Sequence, residues 1–492
     1  IFGTSTSLEE AIERLWKLNE IESSKRGLSP SEQQCESHFT QHVRTNADGR
    51  FIVSLPFREN PTALGESQAM AYNRFMGLER RLLKNEDIRL QYIKFMKDYE
   101  HLGHMQKVDI NTISDPKYII PHHCVLKPDS STTKLRVVFD ASAKTSSGYS
   151  LNDLMYTGPT VQSELFSILL RFRLPKFVFT TDIEKMYRQI LIHPNNQHYQ
   201  LIIWRENPSL SVNYYKLNTV TYGTRSAPYL ATRCLQKIAD ENAISYPFGA
   251  QMLKDNFYVD DGLGGSDSLN IATEIQRELI IILKRHGFNL KKWCANHPQL
   301  LKNIPLGDQE VDLDFNNGNT STVKTLGLLW LPKTDHFCVK VKVNHQQAVT
   351  KRTATSDLAK LFDPLGLLAP VVVKAKMFIQ QLWQVKLDWD EPLPEDLNII
   401  WTKFRNDLDS LNNYKIPRHV FKGELPASTE LHIFSDASEK AFGAVAYIRA
   451  VLKDRRVIVQ LLCAKLIYIF WIHYKVRGKR PTKAYIAVFC CF

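Results

Sequence analysis

Paired cysteine motifs are missing from this 492-residue chain. Its eight cysteines (Cys35, Cys124, Cys234, Cys294, Cys338, Cys463, Cys490 and Cys491) form neither a CxxC nor a spaced framework. That excludes a secreted disulfide scaffold and favours a reducing compartment. Long apolar runs are missing too: a spanning helix needs roughly 18 to 20 such residues. The longest candidate, Val457 to Ile472, is interrupted by Gln460 and Lys465. The first residues are acidic and amphipathic, so no signal peptide is expected, and the lack of an initiator Met at Ile1 reads as part of a longer reading frame. Internal repeats and low-complexity linkers are absent. Acidic residues also run out: none follows Asp454, whereas eight basic ones do.

What is present is a globular composition, 44% hydrophobic and 11% aromatic, in a chain long enough for about three domains of roughly 150 residues. Lysine and arginine total 63 against 51 acids, a formal charge of +12. The partner this favours is a polyanion, although charge alone is weak support.

Helix signals open the chain. Ser7 and Glu10 form a capping box, and Ser29-Pro30-Ser31-Glu32 repeats it with Pro at the first helical position. Asn85 is placed to cap a helix whose apolar stripe is Ile88, Tyr92, Phe95, Met96 and Tyr99. From about Pro121 the pattern turns strand-like, with a hairpin predicted from Cys124-Val125-Leu126 to Leu135–Phe139. The adjacent His122-His123-Cys124 has the wrong spacing to chelate one zinc and reads as strand. Short β runs (Lys176 to Asp182, Tyr214 to Leu217, Asn256 to Val259) then mix with helices over Ala227 to Ala239 and Ile271 to His286, which predicts an α+β sheet domain. Ser356 to Gln384 reads as helix broken at Asp363-Pro364-Leu365-Gly366, and LHIFSDASEKAFGAVAYIR from Leu431 as another hairpin.

Two acidic features carry chemistry. In FTTDIEKMYRQI, Phe179 to Ile190, Asp182 ends an apolar strand and shares a face with Val178 and Thr180 by the two-residue period. A carboxylate there is costly unless paired or metal-bound. In NFYVDDGLGG, Asp260 and Asp261 sit between Phe257-Tyr258-Val259 and the glycines Gly262, Gly264 and Gly265, a pattern of a tight hairpin tip. Three carboxylates converging on two divalent ions would perform nucleotidyl transfer. A solvated Asp-Asp turn and a strand-end cap are equally compatible with either motif alone.

FTTDIEKMYRQI, TVTYGTRSAPYLATRCLQ and FYVDD, in that order, resemble the palm of a retroelement reverse transcriptase. RVVFDAS (Arg136 to Ser142), GFNLKKW (Gly287 to Trp293), LGLLW (Leu326 to Trp330) and FDPLGLLAP (Phe362 to Pro370) are similar to the BEL/Pao branch of long-terminal-repeat retrotransposons. The resemblance reaches about Lys465. It implies an α+β right hand of fingers, palm and thumb, an RNA-directed DNA polymerase adding dNTPs to a primer 3′-hydroxyl, with two Mg²⁺ ions or Mn²⁺ in their place. Asp182, Asp260 and Asp261 would be its catalytic carboxylates and metal ligands, the Ile183 carbonyl assisting. Tyr187 matches the gate that rejects a 2′-hydroxyl. Arg136 matches the triphosphate clamp, with Lys127 a possible helper on the other arm. Tyr222, Gly223 and Pro228 match the turn lining the nucleotide pocket, and Tyr258 belongs to the same substrate-binding set. Lys292 resembles the lysine that protonates pyrophosphate, although Lys291 fits the slot as well, and Leu326 with Gly327 resembles the primer grip. Thumb lysines such as Lys374 and Lys376 would meet duplex phosphates.

SDAS, Ser435 to Ser438, resembles the first strand of an RNase H domain, with Asp436 its first metal carboxylate. Only Glu439 and Asp454 follow as acids, so no autonomous RNase H activity is expected. The expected divisions are a helical region at 1–115, fingers and palm at 116–345, a thumb or connection at 346–425, a truncated RNase H-like start at 426–465 and a divergent basic and apolar tail at 466–492. No aspartic-protease D-T/S-G motif or integrase zinc array is present. The implied partners are an RNA template, a DNA or RNA primer, dNTPs and other parts of the element's polyprotein, with no membrane. The implied location is a cytoplasmic particle, the nucleus or both. The competing reading is a catalytically inactive nucleic-acid-binding remnant; oligomeric state is not legible.

Overall fold

The computed structural model describes residues 27–115, 117–126, 135–310, 323–341, 343–345, 347–385, 387–438 and 441–468. The capping box at Ser7 and the hairpin residue Lys127 lie outside them. The second predicted box starts α1 (Pro30–His42): the Ser29 side chain accepts from Glu32 N–H, and Glu32 returns a bond to Ser29 N–H. Strands β1 (Arg44–Thr45) and β2 (Phe51–Val53) follow, then α2 (Gln68–Leu82) and α3 (Glu86–His101). Asn85 caps α3 through Ile88 N–H, and Tyr92, Met96 and Tyr99 of the predicted stripe are buried.

Next come β3 (Met105–Val108) and the predicted hairpin, β4 (His122–Leu126) paired antiparallel with β5 (Leu135–Phe139). His122 is a core residue here, held by the Tyr92 hydroxyl and the Ile203 carbonyl. The chain continues through α4 (Leu165–Phe172), β6 (Phe177–Ile183), the single turn α5 (Met186–Gln189), β7 (Leu191–Ile192), β8 (Leu201–Trp204) and β9 (Asn213–Leu217). Then follow α6 (Ala227–Asn242), α7 (Pro247–Asp255), β10 (Phe257–Tyr258), β11 (Asp261–Ser266), α8 (Leu269–Lys284) and β12 (Leu290–Ala295).

The sheet that matters most has the order β10-β11-β6-β12, all antiparallel. Its two faces separate by the two-residue period. Phe179 and Ile183 join the core with Leu253 of α7 and Leu279, Ile282 and Leu283 of α8. Val178 packs on the other side with Ile168, Leu169 and Phe172 of α4. Burying an aliphatic or aromatic side chain in this way stabilises by about 1.5–3 kcal/mol.

A second sheet, β13 (Val323–Thr325), β14 (Leu328–Leu331), β15 (His336–Cys338) and β16 (Lys415–Pro417), continues the α4 side, where Trp330 meets Phe172 edge-on at 5.4 Å. Helices α9 (Lys351–Ala359), α10 (Ala369–Gln384) and α11 (Glu395–Asp407) gather a separate core around Phe378, Leu382 and Trp401. Lys376 is buried, 5% exposed, within electrostatic reach of Asp363, and so is not on the surface that duplex phosphates were expected to meet; Lys374 is exposed. The helical period turns position 376, one residue past buried Ala375, toward the core.

The last sheet is an antiparallel meander of β17 (Pro426–Ala437), β18 (Ala441–Leu452) and β19 (Val457–Tyr468). Strand β19 runs past 465, pairing Leu466 with Gly443 and Tyr468 with Ala441. Pairing with β18 thus carries the strand three residues into the 466–492 segment. Residues 469–492 lie outside the described set. Among the described residues no helix is long and apolar enough to cross a membrane, and the six described cysteines are free thiols.

Candidate active site

Strand register brings the two acidic motifs together. Asp182 at the end of β6 is the direct cross-strand partner of Asp261, the first residue of β11. Asp260 occupies the two-residue turn before it, between paired Tyr258 and Asp261. The Asp260 carbonyl accepts the Ile183 N–H at 2.9 Å, which ties the turn to the β6 end. Like charges placed directly opposite in a sheet destabilise it, so the sequence maintains this arrangement at a cost.

The turn is strained. Val259 has φ +58°, a region that β-branched residues avoid. Its N–H is held by Gln162 Oε1 at 2.8 Å. The expected tight hairpin is present: Val259 and Asp260 make its turn, Asp261 opens β11, and Gly262 and Gly264 lie inside that strand. Their lack of a side chain admits Phe257 at the first and Met252 with Phe179 at the second. Lys185 (φ +50°) and Lys292 (φ +53°) are also left-handed. Strain in non-glycine residues costs on the order of 1–3 kcal/mol each and clusters at functional sites.

Lys292 sits where the β12–β6 register shifts, between Lys291 and Cys294. This bulge separates the two adjacent lysines: Lys292 Nζ bonds Asp182 Oδ2 at 3.0 Å, whereas Lys291 pairs with Asp308. Burial pulls the Lys292 ammonium down, yet Asp182 outweighs it and the net shift is upward. Burial, then Asp260 and Asp182, push the Asp261 carboxyl up to about 7. Asp260 is raised by burial and then by Asp182. Glu310, which sequence reading missed, is tied by its N–H to the Trp293 carbonyl at 2.9 Å and lies within electrostatic reach of Lys292 and Asp182.

The other residues expected at a nucleotide site are placed as follows. Tyr187 is half-buried. Burial, then Asp260, push its hydroxyl up to about 12. Arg136 is exposed on β5. Tyr222 packs its ring 5.3 Å from Phe139 of the same strand. Gly223 has φ +100°, and a Cβ there would collide with the Phe139 carbonyl; its own carbonyl accepts from Asn152 at 3.0 Å. Leu326 (φ +49°) and Gly327 (φ +89°) form the two-residue turn between β13 and β14, a left-handed pair suited to a tight hairpin.

Among the described residues no three His, Cys, Asp or Glu side chains are gathered where they could together hold a metal ion. Mg²⁺ does not demand such a cluster, since it binds through one or two carboxylates plus substrate phosphate. Asp182, Asp260 and Asp261 carry the hard oxygens that such an ion takes, and burial, then the neighbouring carboxylates, raise the Asp260 and Asp261 carboxyls. Asp436 stands apart on β17, exposed, opposite Gly443.

No curated protein matches this chain. Residues 350–466 match the family model described as Pao retrotransposon-like RNaseH-like domain, across the division expected at 425/426, and this supports an origin in a Pao-type retrotransposon Pol polyprotein.

Proposed function

We propose that the chain is the RNA-directed DNA polymerase of such an element, with palm residues at Phe177–Ala295 and the RNase H-like segment behind it. The observation that carries this reading is the pairing of Asp182 with Asp261 beside Asp260, on a turn that Val259 makes in the left-handed region with its side chain in the core. Asp182, Asp260 and Asp261 would hold the two divalent ions. Bound there, the ions would lower the pKa of a primer 3′-hydroxyl and neutralise charge at the pyrophosphate.

The chain's own residues supply the rest. The Arg136 guanidinium offers forked donors to the triphosphate, which a point-charge lysine would match less well. Tyr187, close enough to Asp260 to feel its charge, presents an aromatic face beneath the sugar and leaves no room for a 2′-hydroxyl. Lys292 keeps its proton through Asp182 and is placed to give it to the leaving pyrophosphate. Leu326 and Gly327 would seat the primer end, and a basic chain of +12 favours the polyanionic duplex.

The test of the sugar assignment is Tyr187→Ala in primer extension with ribonucleotides and deoxynucleotides supplied separately. Ribonucleotide use should rise by about tenfold or more relative to deoxynucleotides. An unchanged ratio would remove Tyr187 from that role.

A further inference from the structure

Arg188 follows the gate candidate Tyr187 but has no place in the reading above. Its guanidinium lies 4.7 Å from the Tyr99 ring centroid and 5.2 Å from that of Phe95. Among the described residues no carboxylate forms an ion pair with it. A half-buried arginine held on two aromatic faces is fixed in position, with its hydrogen-bonding edge left for another group. The stack continues from Tyr99 to Phe139 at 6.0 Å and from Phe139 to Tyr222 at 5.3 Å. Backbone pairing closes the circuit: Val220 N–H donates to the Ile190 carbonyl at 2.9 Å, and Leu191 bridges Thr219 antiparallel, which brings segments 187–191 and 219–222 side by side.

Burial raises the Tyr222 hydroxyl, and Tyr99 adds to this, while Arg188 and then Arg136 act in the opposite direction. The dipeptide Tyr187-Arg188 thus faces two neighbours. Tyr187 stands on the Asp260 side, and Arg188 stands behind Tyr222.

Resting on the polymerase reading, we infer that Arg188 is a positioning residue, holding Tyr222 as the wall against which an incoming deoxynucleoside triphosphate is aligned. Tyr222 touches the nucleotide; Arg188 acts through Tyr222. A cation is suited to this task because it both stacks on Tyr99 and donates to the hydroxyl, whereas an apolar side chain would fill the space and leave Tyr222 free to turn.

The test is primer extension by the full chain at varied dNTP concentration, for wild type, Arg188→Met, Arg188→Lys, Tyr222→Phe and the Arg188→Met/Tyr222→Phe pair, with melting temperatures measured alongside. Arg188→Met and Tyr222→Phe should each raise KM for dNTP by about tenfold with kcat within about twofold, the signature of lost ground-state alignment. The pair should be no worse than either single variant, because both remove one interaction, and Arg188→Lys should recover part of the loss. If Arg188→Met fails to fold, Arg188→Lys and Tyr222→Phe still give the KM comparison. Effects that multiply in the double variant, or a loss in kcat alone, would overturn the inference while leaving the polymerase reading intact. Absence of extension by the wild type would instead remove the reading beneath it.

Discussion

Asp182 and Asp261 are register partners across β6 and β11, two carboxylates from opposite ends of an eighty-residue stretch held face to face by a sheet. The consequence is a pH signature. The Asp261 carboxyl is raised from 3.8 to about 7, so between these values the folded state binds a proton that the unfolded chain has released. Stability contributed by Asp261 is present below about pH 4 and lost as pH rises through 7. Asp261→Asn should therefore raise the melting temperature at pH 8 by roughly 1–3 °C and flatten its fall between pH 5 and 8. Mg²⁺ or Mn²⁺ should raise the wild-type value at pH 8 and leave the variant's nearly unchanged. Thermal melts with and without cation check this; a variant less stable than wild type at pH 8 would contradict it.

The Asp182 face was legible because strand periodicity is local: Val178, Thr180 and Asp182 alternate with Phe179, Thr181 and Ile183, and the two sets meet different cores. The hairpin around Asp260 was legible as well, but the left-handed conformation of Val259 was not, since β-branched residues avoid that region. Nor could spacing decide between Lys291 and Lys292, because a bulge in β12 sets their directions. Buried Lys376 shows the same limit, since a charged residue on a helix reads as exposed until its neighbours are known.

Gly223 allows a sharper test of the pocket. At φ +100° a side chain is strained, and the Phe139 carbonyl occupies the space. Gly223→Ala should destabilise by about 1–3 kcal/mol and raise KM for dNTP, because relieving the clash moves β5 and with it Arg136. A stable variant with unaltered KM would show that the turn is not part of the pocket.

Arg173 is fully buried, and its guanidinium donates to the carbonyls of Leu461 (2.8 Å), Leu462, Pro417 (3.1 Å) and Arg418 (3.2 Å). Arg418 beside it is also buried, and pairs with Asp335 at 2.7 Å while donating to Phe172 and Pro175 carbonyls. These two arginines fasten the end of α4 to β16 and β19. Sequence separations of more than 240 residues explain why neither was visible beforehand. Arg418→Leu should destabilise by about 1–3 kcal/mol, because the Phe172 and Pro175 carbonyls lose their donor while Asp335 keeps only Trp330 and Asn296. Limited proteolysis of Arg173→Met should release the 426–468 sheet faster than from wild type; equal rates would show that the sheet is held elsewhere.

Strand β17 leaves Leu431, Ile433 and Phe434 between 44% and 59% exposed along an edge with no partner strand among the described residues. Such edges promote association. Leu431→Lys should reduce concentration-dependent light scattering without lowering the melting temperature; unchanged scattering would place the association elsewhere.

The proposed role of Asp182, Asp260 and Asp261 in making DNA from a primer is tested by extension of oligo(dT) on poly(rA) with Mg²⁺ or Mn²⁺, comparing the full chain with an Asp260→Asn/Asp261→Asn variant. Metal-dependent extension by the wild type and a loss of at least about a hundredfold in the variant are expected. Equal extension by both, or salt-sensitive duplex binding without any extension by the wild type, would contradict that role.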